Sequence, residues 1–394
     1  MKFVPIRVGS IALAGLGCFL IDRLAHQSQN ELILRLFCLA GLFVTLAVSL
    51  NLINGITGQF SIGHAAFYQV GAYSAGFLAL NHSAALGGKG VPLVLALLIF
   101  GALFAAVAGL VVGLPSLRLK GDYLAIVTLG FGEIIRIVVQ NTESLGGAYG
   151  MKIPQTHKFA WLIWLLAIVC IAVCRNLLKT AHGLQFLAVR EDEVASSAMG
   201  VNVTGIKVVA FVIGSAFAGA AGALYSQFEG FITPNGFTMD VSFIILTMVV
   251  LGGTGSITGS ALAGGLLFYL PEKLRDAPPV HGNGLVAAVI CVVIAVVVLK
   301  RIIDHYHGGS KGKAIRIVGA ILGAAALQFI FSKILGSVPS LAGVEFKADN
   351  LRMVIFAATL VILMMLRPQG IFAHHELSWD WLRRLFTHRK EQAA

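Results

Sequence analysis

The sequence predicts an all-α, polytopic integral membrane protein of about twelve spans with both termini in the cytoplasm. Three observations carry that prediction. Of 394 residues, 57% are hydrophobic and only 12% charged, with a mean hydropathy of +0.87. A soluble domain carries about 25% charged residues, so a globule of this composition would expose large apolar patches and aggregate. The second observation is the run of apolar segments, near 4–21, 32–53, 63–80, 92–114, 123–140, 159–175, 208–226, 241–252, 257–270, 285–303, 315–335 and 351–366. Most reach the roughly 17–25 residues that cross a hydrocarbon core. The third is the charge distribution. With the N-terminus inside, 18 basic residues fall on the cytoplasmic side and ten outside, while Arg136 lies within a segment. The net charge of +11 is thus a topological signal and gives no reason to expect nucleic-acid binding.

Along the chain, Lys2 and Arg7 precede an apolar run with Ala12-Leu13-Ala14, a pattern shared with cleaved leaders. The run continues to Ile21, and a retained first helix is expected. All five cysteines fall in apolar segments and read as small buried hydrophobes, so neither a disulfide framework nor a metal site is expected. The forty-five glycines, without a collagen period, suit close helix packing in a bilayer.

Four features depart from simple apolar helix. Asn54 to His64 carries three glycines and no charge between two spans, and Leu251 to Gly259 is a second glycine-rich interruption between two short segments. Irregular backbone at membrane depth survives only against protein or a water-filled cavity, and paired interruptions point to a translocation path. Gly58, Ser61, Gly63, His64, Gly253 and Gly255 are therefore expected at or near a pathway interface, with tight helix–helix turns as the competing reading. His64 fits a packed, hydrogen-bonded residue better than a proton relay. Glu133 and Arg136, at i and i+3, are expected to form an intramembrane ion pair. A proton-coupling carboxylate is the rival, and the paired cation argues against it. The fourth feature is a charged loop from Arg175 to Lys207. Within it, 187–200 reads as one short amphipathic helix, with Glu191, Asp192 and Glu193 near its positive end and Gly200 at its stop. Val194, Ala195, Ala198 and Met199 form an apolar face that must rest on this protein or on a partner, with Arg190 at the rim of that contact.

No HExxH motif is present and no carboxylate pair suggests catalysis, and Gly308 to Ala314, a basic hairpin with no strand before it, lacks the spacing of a phosphate-binding loop. No catalytic residue and no ATP hydrolysis are expected in this chain.

The stretches Gly58 to Phe67, Leu117 to Arg136, Arg190 to Ala195 with Ala198-Met199-Gly200, Val249 to Gly255 and Arg367-Pro368-Gln369-Gly370 together resemble the permeases of bacterial branched-chain amino acid ABC importers. The resemblance implies about ten core transmembrane helices in residues 1–270 and 351–394. Residues 271–350 would then be an inserted helical pair with a basic cytoplasmic turn, and 351–394 the last span and a basic tail. It further implies a homologous second permease, two cytoplasmic ATPases that bind ATP and Mg, and a periplasmic or surface substrate-binding protein. This chain would need no cofactor or metal of its own. Residues 175–207 would be the loop docking on an ATPase, through Arg190 to Ala195, Ala198, Met199 and Gly200. The substrate would be leucine, isoleucine, valine or a related amino acid crossing the bacterial cytoplasmic membrane. Urea, a short amide or another amino acid is the alternative within the family, and an ion-coupled secondary transporter the alternative outside it.

Overall fold

The computed structural model describes residues 31–82, 90–116, 122–153, 159–269, 280–281 and 345–346. The chain divides into two compact units, Met1–Phe268 with Ile371–Ala394, and Tyr269–Gly370. In the second unit a short antiparallel ladder joins Val280–His281 to Glu345–Phe346. The apolar segments 4–21, 285–303, 315–335 and 351–366, the basic turn near 300–316 and both termini lie outside the described residues.

The described part of the first unit is mainly helical. Its described helices are α1 Glu31–Asn51, α2 His64–His82, α3 Val91–Ser116, α4 Asp122–Gln140, α5 Ala160–Leu178, α6 Ala181–Glu191, α7 Glu193–Ala198, α8 Val203–Glu229, α9 Met239–Gly252 and α10 Ile257–Leu267. Each of the eight apolar segments predicted in this region coincides with one of them. Two-residue strands, β1 Met151–Lys152 and β2 Phe231–Ile232, form the other ladder. Among the described residues six stretches are long and apolar enough to cross a membrane: Glu31–Ile56, Val91–Pro115, Tyr123–Gln140, Ala160–Leu178, Val203–Glu229 and Pro234–Gly252. The protein is a multi-pass membrane protein.

Helix boundaries follow capping chemistry. Thr180, Asp192, Asn202 and Ser256 each accept a backbone N–H from the first turn of the helix they precede, and Gly230 ends α8 at φ 68°. Such caps are worth about 1 kcal/mol each. They also correct the expected helix over 187–200. Asp192 is extended, at φ −155° and ψ 113°, and separates α6 from α7. Its carboxylate accepts from Val194 N at 2.8 Å and Ala195 N at 3.0 Å, so an acid competes better as a cap than as a helix-interior residue. The region 175–207 is likewise mostly helical, because α5 runs to Leu178 and α8 begins at Val203.

The bundle closes through small residues. α8 packs most extensively on α3 and α2. A side chain at Gly101 would press on Ala223, one at Gly219 on Ala105, and one at Gly109 on Ser215. Two stripes spaced by four residues, Gly101, Ala105, Gly109 and Ser215, Gly219, Ala223, thus face each other antiparallel. On another side of α8, Gly222 abuts the Tyr68 carbonyl, and Gly71 abuts Gly219. In lipid, where apolar side chains gain little by leaving their solvent, close backbone approach supplies the dispersion energy that holds helices together.

Candidate functional site

The candidate site begins where α1 loses its regular hydrogen bonding. Leu52–Ile56 form one π turn, and the chain stays irregular until α2 starts at His64. Protein satisfies much of this backbone. Ile53 O accepts from Thr57 Oγ1 at 2.7 Å and from Gln59 N at 3.1 Å. Asn54 clasps Ser61 from both sides, donating to its carbonyl at 3.0 Å and accepting from its N–H at 3.2 Å. Thr128 Oγ1 in α4 accepts from Ile62 N at 3.1 Å. This is how a helix break persists at membrane depth.

The second break is a tight turn between α9 and α10. Gly253 and Gly255 take φ 115° and 93°, values that only glycine adopts readily. Asn51, fully buried, stitches the two breaks together. Its Nδ2 donates to Ser256 O at 3.0 Å, and its Oδ1 accepts from Gly255 N at 2.9 Å. Gly55 sits so close that a side chain there would overlap Asn51 Oδ1 and Gly255 N. Replacing Asn51 by leucine would remove the partner of a part-buried N–H and of a buried C=O, at up to about 1–3 kcal/mol each. The expected result is a clear fall in the thermal unfolding midpoint of the detergent-solubilised protein; an unchanged midpoint would show that the two breaks are held by other contacts.

The remaining predicted pathway residues occupy distinct environments. Gly58 is exposed, with φ 70°. Ser61 and His64 are fully buried, and His64 Nε2 lies 2.8 Å from Ser49 Oγ. Gly63 leaves no room for a side chain, because a Cβ there would meet the Thr128 carbonyl. Beside it lies a shallow depression lined mainly by apolar side chains, with Gly63, Glu133, Thr238 and Ser242. Glu133 and Arg136 pair at 2.7 Å, with side chains 27% and 21% exposed. The described cysteines, Cys38, Cys170 and Cys174, are buried, and no group of three or more metal-type ligands stands together among the described residues.

The segment formed by α6 and α7 presents an apolar face. Val194 is 72% and Met199 85% exposed, and Ala195 and Ala198 are exposed with them. Leu184, 64% exposed and one turn before the exposed Ala188, extends the apolar surface; the sequence reading missed it although the i, i+4 spacing marks it. Arg190 pairs with the exposed Glu191 and also reaches the bundle. Its Nη1 donates to Gly55 O at 3.3 Å, so the guanidinium faces the first break. Glu193 ion-pairs with Lys207, which the sequence reading placed at the end of a loop and which lies in α8. Gly200, at φ 85°, follows α7 with open space around it.

Residues 32–298 match the family described as branched-chain amino acid transport system / permease component. The chain belongs to this family. It is 37% identical over 271 residues to the high-affinity branched-chain amino acid transport system permease protein LivM of Salmonella typhimurium, covering 60% of this chain and 62% of that one. Against the probable LivM of Methanocaldococcus jannaschii it is 31% identical over 271 residues, 59% of this chain and 78% of the relative. It is also 26% identical over 260 residues to LivH of Salmonella typhimurium, 61% of this chain and 83% of the relative. The matched region thus spans under two thirds of the Salmonella LivM. No solved structure matches the chain.

Proposed function

We propose that this protein is a membrane-spanning permease subunit of an ATP-binding-cassette importer that passes leucine, isoleucine, valine or related amino acids across the bacterial cytoplasmic membrane. The observation that carries this reading is the exposed apolar face of α6 and α7, set on a segment that is bonded to the first glycine-rich break. Such a face fits the groove of a cytoplasmic ATPase, and its attachment to the break gives nucleotide-driven movement a route into the membrane. A homologous second permease is the natural partner, since this chain is similar to both LivM and LivH of one organism. Two ATPases carrying ATP and Mg and an external substrate-binding protein complete the importer. The charge distribution supports cytoplasmic termini, with 271–350 as an inserted pair of spans.

An ion-coupled transporter needs a carboxylate or histidine free to exchange protons, and here Glu133 is held by Arg136 and His64 lies against Ser49. The substrate class is tested by competition. Uptake of labelled leucine by membrane vesicles bearing the complex is expected to fall when unlabelled isoleucine or valine is added and to be indifferent to urea and short amides. Inhibition by urea and not by isoleucine would reassign the substrate.

A further inference from the structure

Two charged side chains at the junction of α6 and α7 reach the bundle. Arg190 is only 22% exposed on its side chain. Its Nε and Nη2 hold Glu191 at 3.1 and 2.6 Å, while Nη1 reaches the Gly55 carbonyl inside the π turn. Its stem runs alongside Gly58, with Cγ 3.1 Å from where a Cβ on that glycine would stand. On the other side of Asp192, Glu193 pairs with Lys207, whose side chain is 8% exposed. The Lys207 carbonyl in turn accepts from Gln59 Nε2 at 3.4 Å.

These contacts differ mechanically. The Glu193–Lys207 pair fastens α7 to the first turns of a 27-residue helix, a stiff element. Arg190 fastens the same segment to a π turn followed by irregular backbone, where the regular helical ladder is interrupted. One contact is suited to be a pivot and the other a lever. The lever's load is shared, because Gly55 abuts Gly255 and Asn51, just before the first break, bonds the second.

We propose that Arg190 is a positioning residue that links the α6–α7 segment to the π turn, so that displacement of the segment moves both glycine-rich breaks together. The proposal rests on the importer reading, in which an ATPase supplies the displacement. A charge-assisted hydrogen bond, here part-buried, is stronger than one between neutral groups and suits Arg190 to carry that load.

The test uses the full chain assembled with its ATPases, second permease and binding protein, carrying Ser61→Cys as a reporter in the buried first break. Thiol labelling is measured with and without a non-hydrolysable ATP analogue. With Arg190 present, the analogue is expected to change the labelling rate by about tenfold, the worth of one charge-assisted hydrogen bond. Arg190→Met keeps the stem alongside Gly58 and removes the donor, so the nucleotide response is expected to vanish while the assembled complex is recovered in full. Arg190→Lys restores a donor and is expected to restore part of the response. Arg190→Gln, uncharged and shorter, is the second variant should Arg190→Met assemble poorly. A full nucleotide response in either uncharged variant, or none in a transport-competent complex with Arg190, would overturn the proposal. An unmodified complex that fails to couple ATP hydrolysis to uptake would instead overturn the importer reading, and that measurement is made first.

Discussion

Gly219→Leu is expected to abolish recovery of folded protein, whereas Gly130→Leu in the same membranes leaves it unchanged. Gly219 lies where α8 meets both α3 and α2. A side chain there would collide with the Cβ of Ala105 and the carbonyl of Gly101, and Gly71 presses from α2. Two of these neighbours are backbone, which cannot rotate away, so the helices must separate. Overpacking in a core costs about 1–3 kcal/mol where side chains can shift. Without that relief the cost exceeds about 3 kcal/mol, a large part of a domain's total stability. Gly130 sits on the exposed side of α4 with nothing within 4 Å of an added Cβ. The measurement is the yield of monodisperse protein and its unfolding midpoint in detergent. Equal behaviour of the two variants would show that the small-residue stripes do not hold the bundle.

Ala195→Arg is expected to leave that yield untouched and to disconnect the ATPases. Ala195 is exposed among Val194, Ala198 and Met199, so an arginine finds room in the isolated chain. In the docked state the guanidinium would be sealed against an apolar wall without a partner. An uncompensated buried charge costs about 3–5 kcal/mol, which weakens docking more than about a hundredfold. Co-purification of the ATPases and substrate-stimulated hydrolysis are both expected to fall below detection. Unchanged values for both would mean that this face meets no partner.

The helices of the first unit were legible because their driving pattern is local. Segments such as 123–140 and 257–270 announce themselves by apolar composition and are bounded by caps and glycines close in sequence. The glycine-rich breaks were visible for the same reason. What the sequence hid is pairing over long separations. Asn51 reads as the polar end of a span, and its bonds to Gly255 and Ser256 join residues more than two hundred positions apart. The stripes Gly101, Ala105, Gly109 and Ser215, Gly219, Ala223 stand in plain sight, but nothing local says that they face each other. Asp192 was misread within a helix because the apolar spacing of 187–200 continues through it, while its preference for capping wins in the folded chain. Lys207 was read as a loop residue because charge usually ends a span. Here the Asn202 cap starts α8 one turn earlier, and Glu193 compensates the buried ammonium.

The central claim is that ATP hydrolysis on partner subunits drives amino-acid passage through this chain. It is tested by uptake of labelled leucine into cells expressing the complete complex, with the proton gradient collapsed by a protonophore and the ATP pool kept intact by glycolysis. The account predicts that uptake persists under those conditions and stops when ATP is depleted with the gradient maintained. Uptake that stops with the gradient and survives loss of ATP would contradict it.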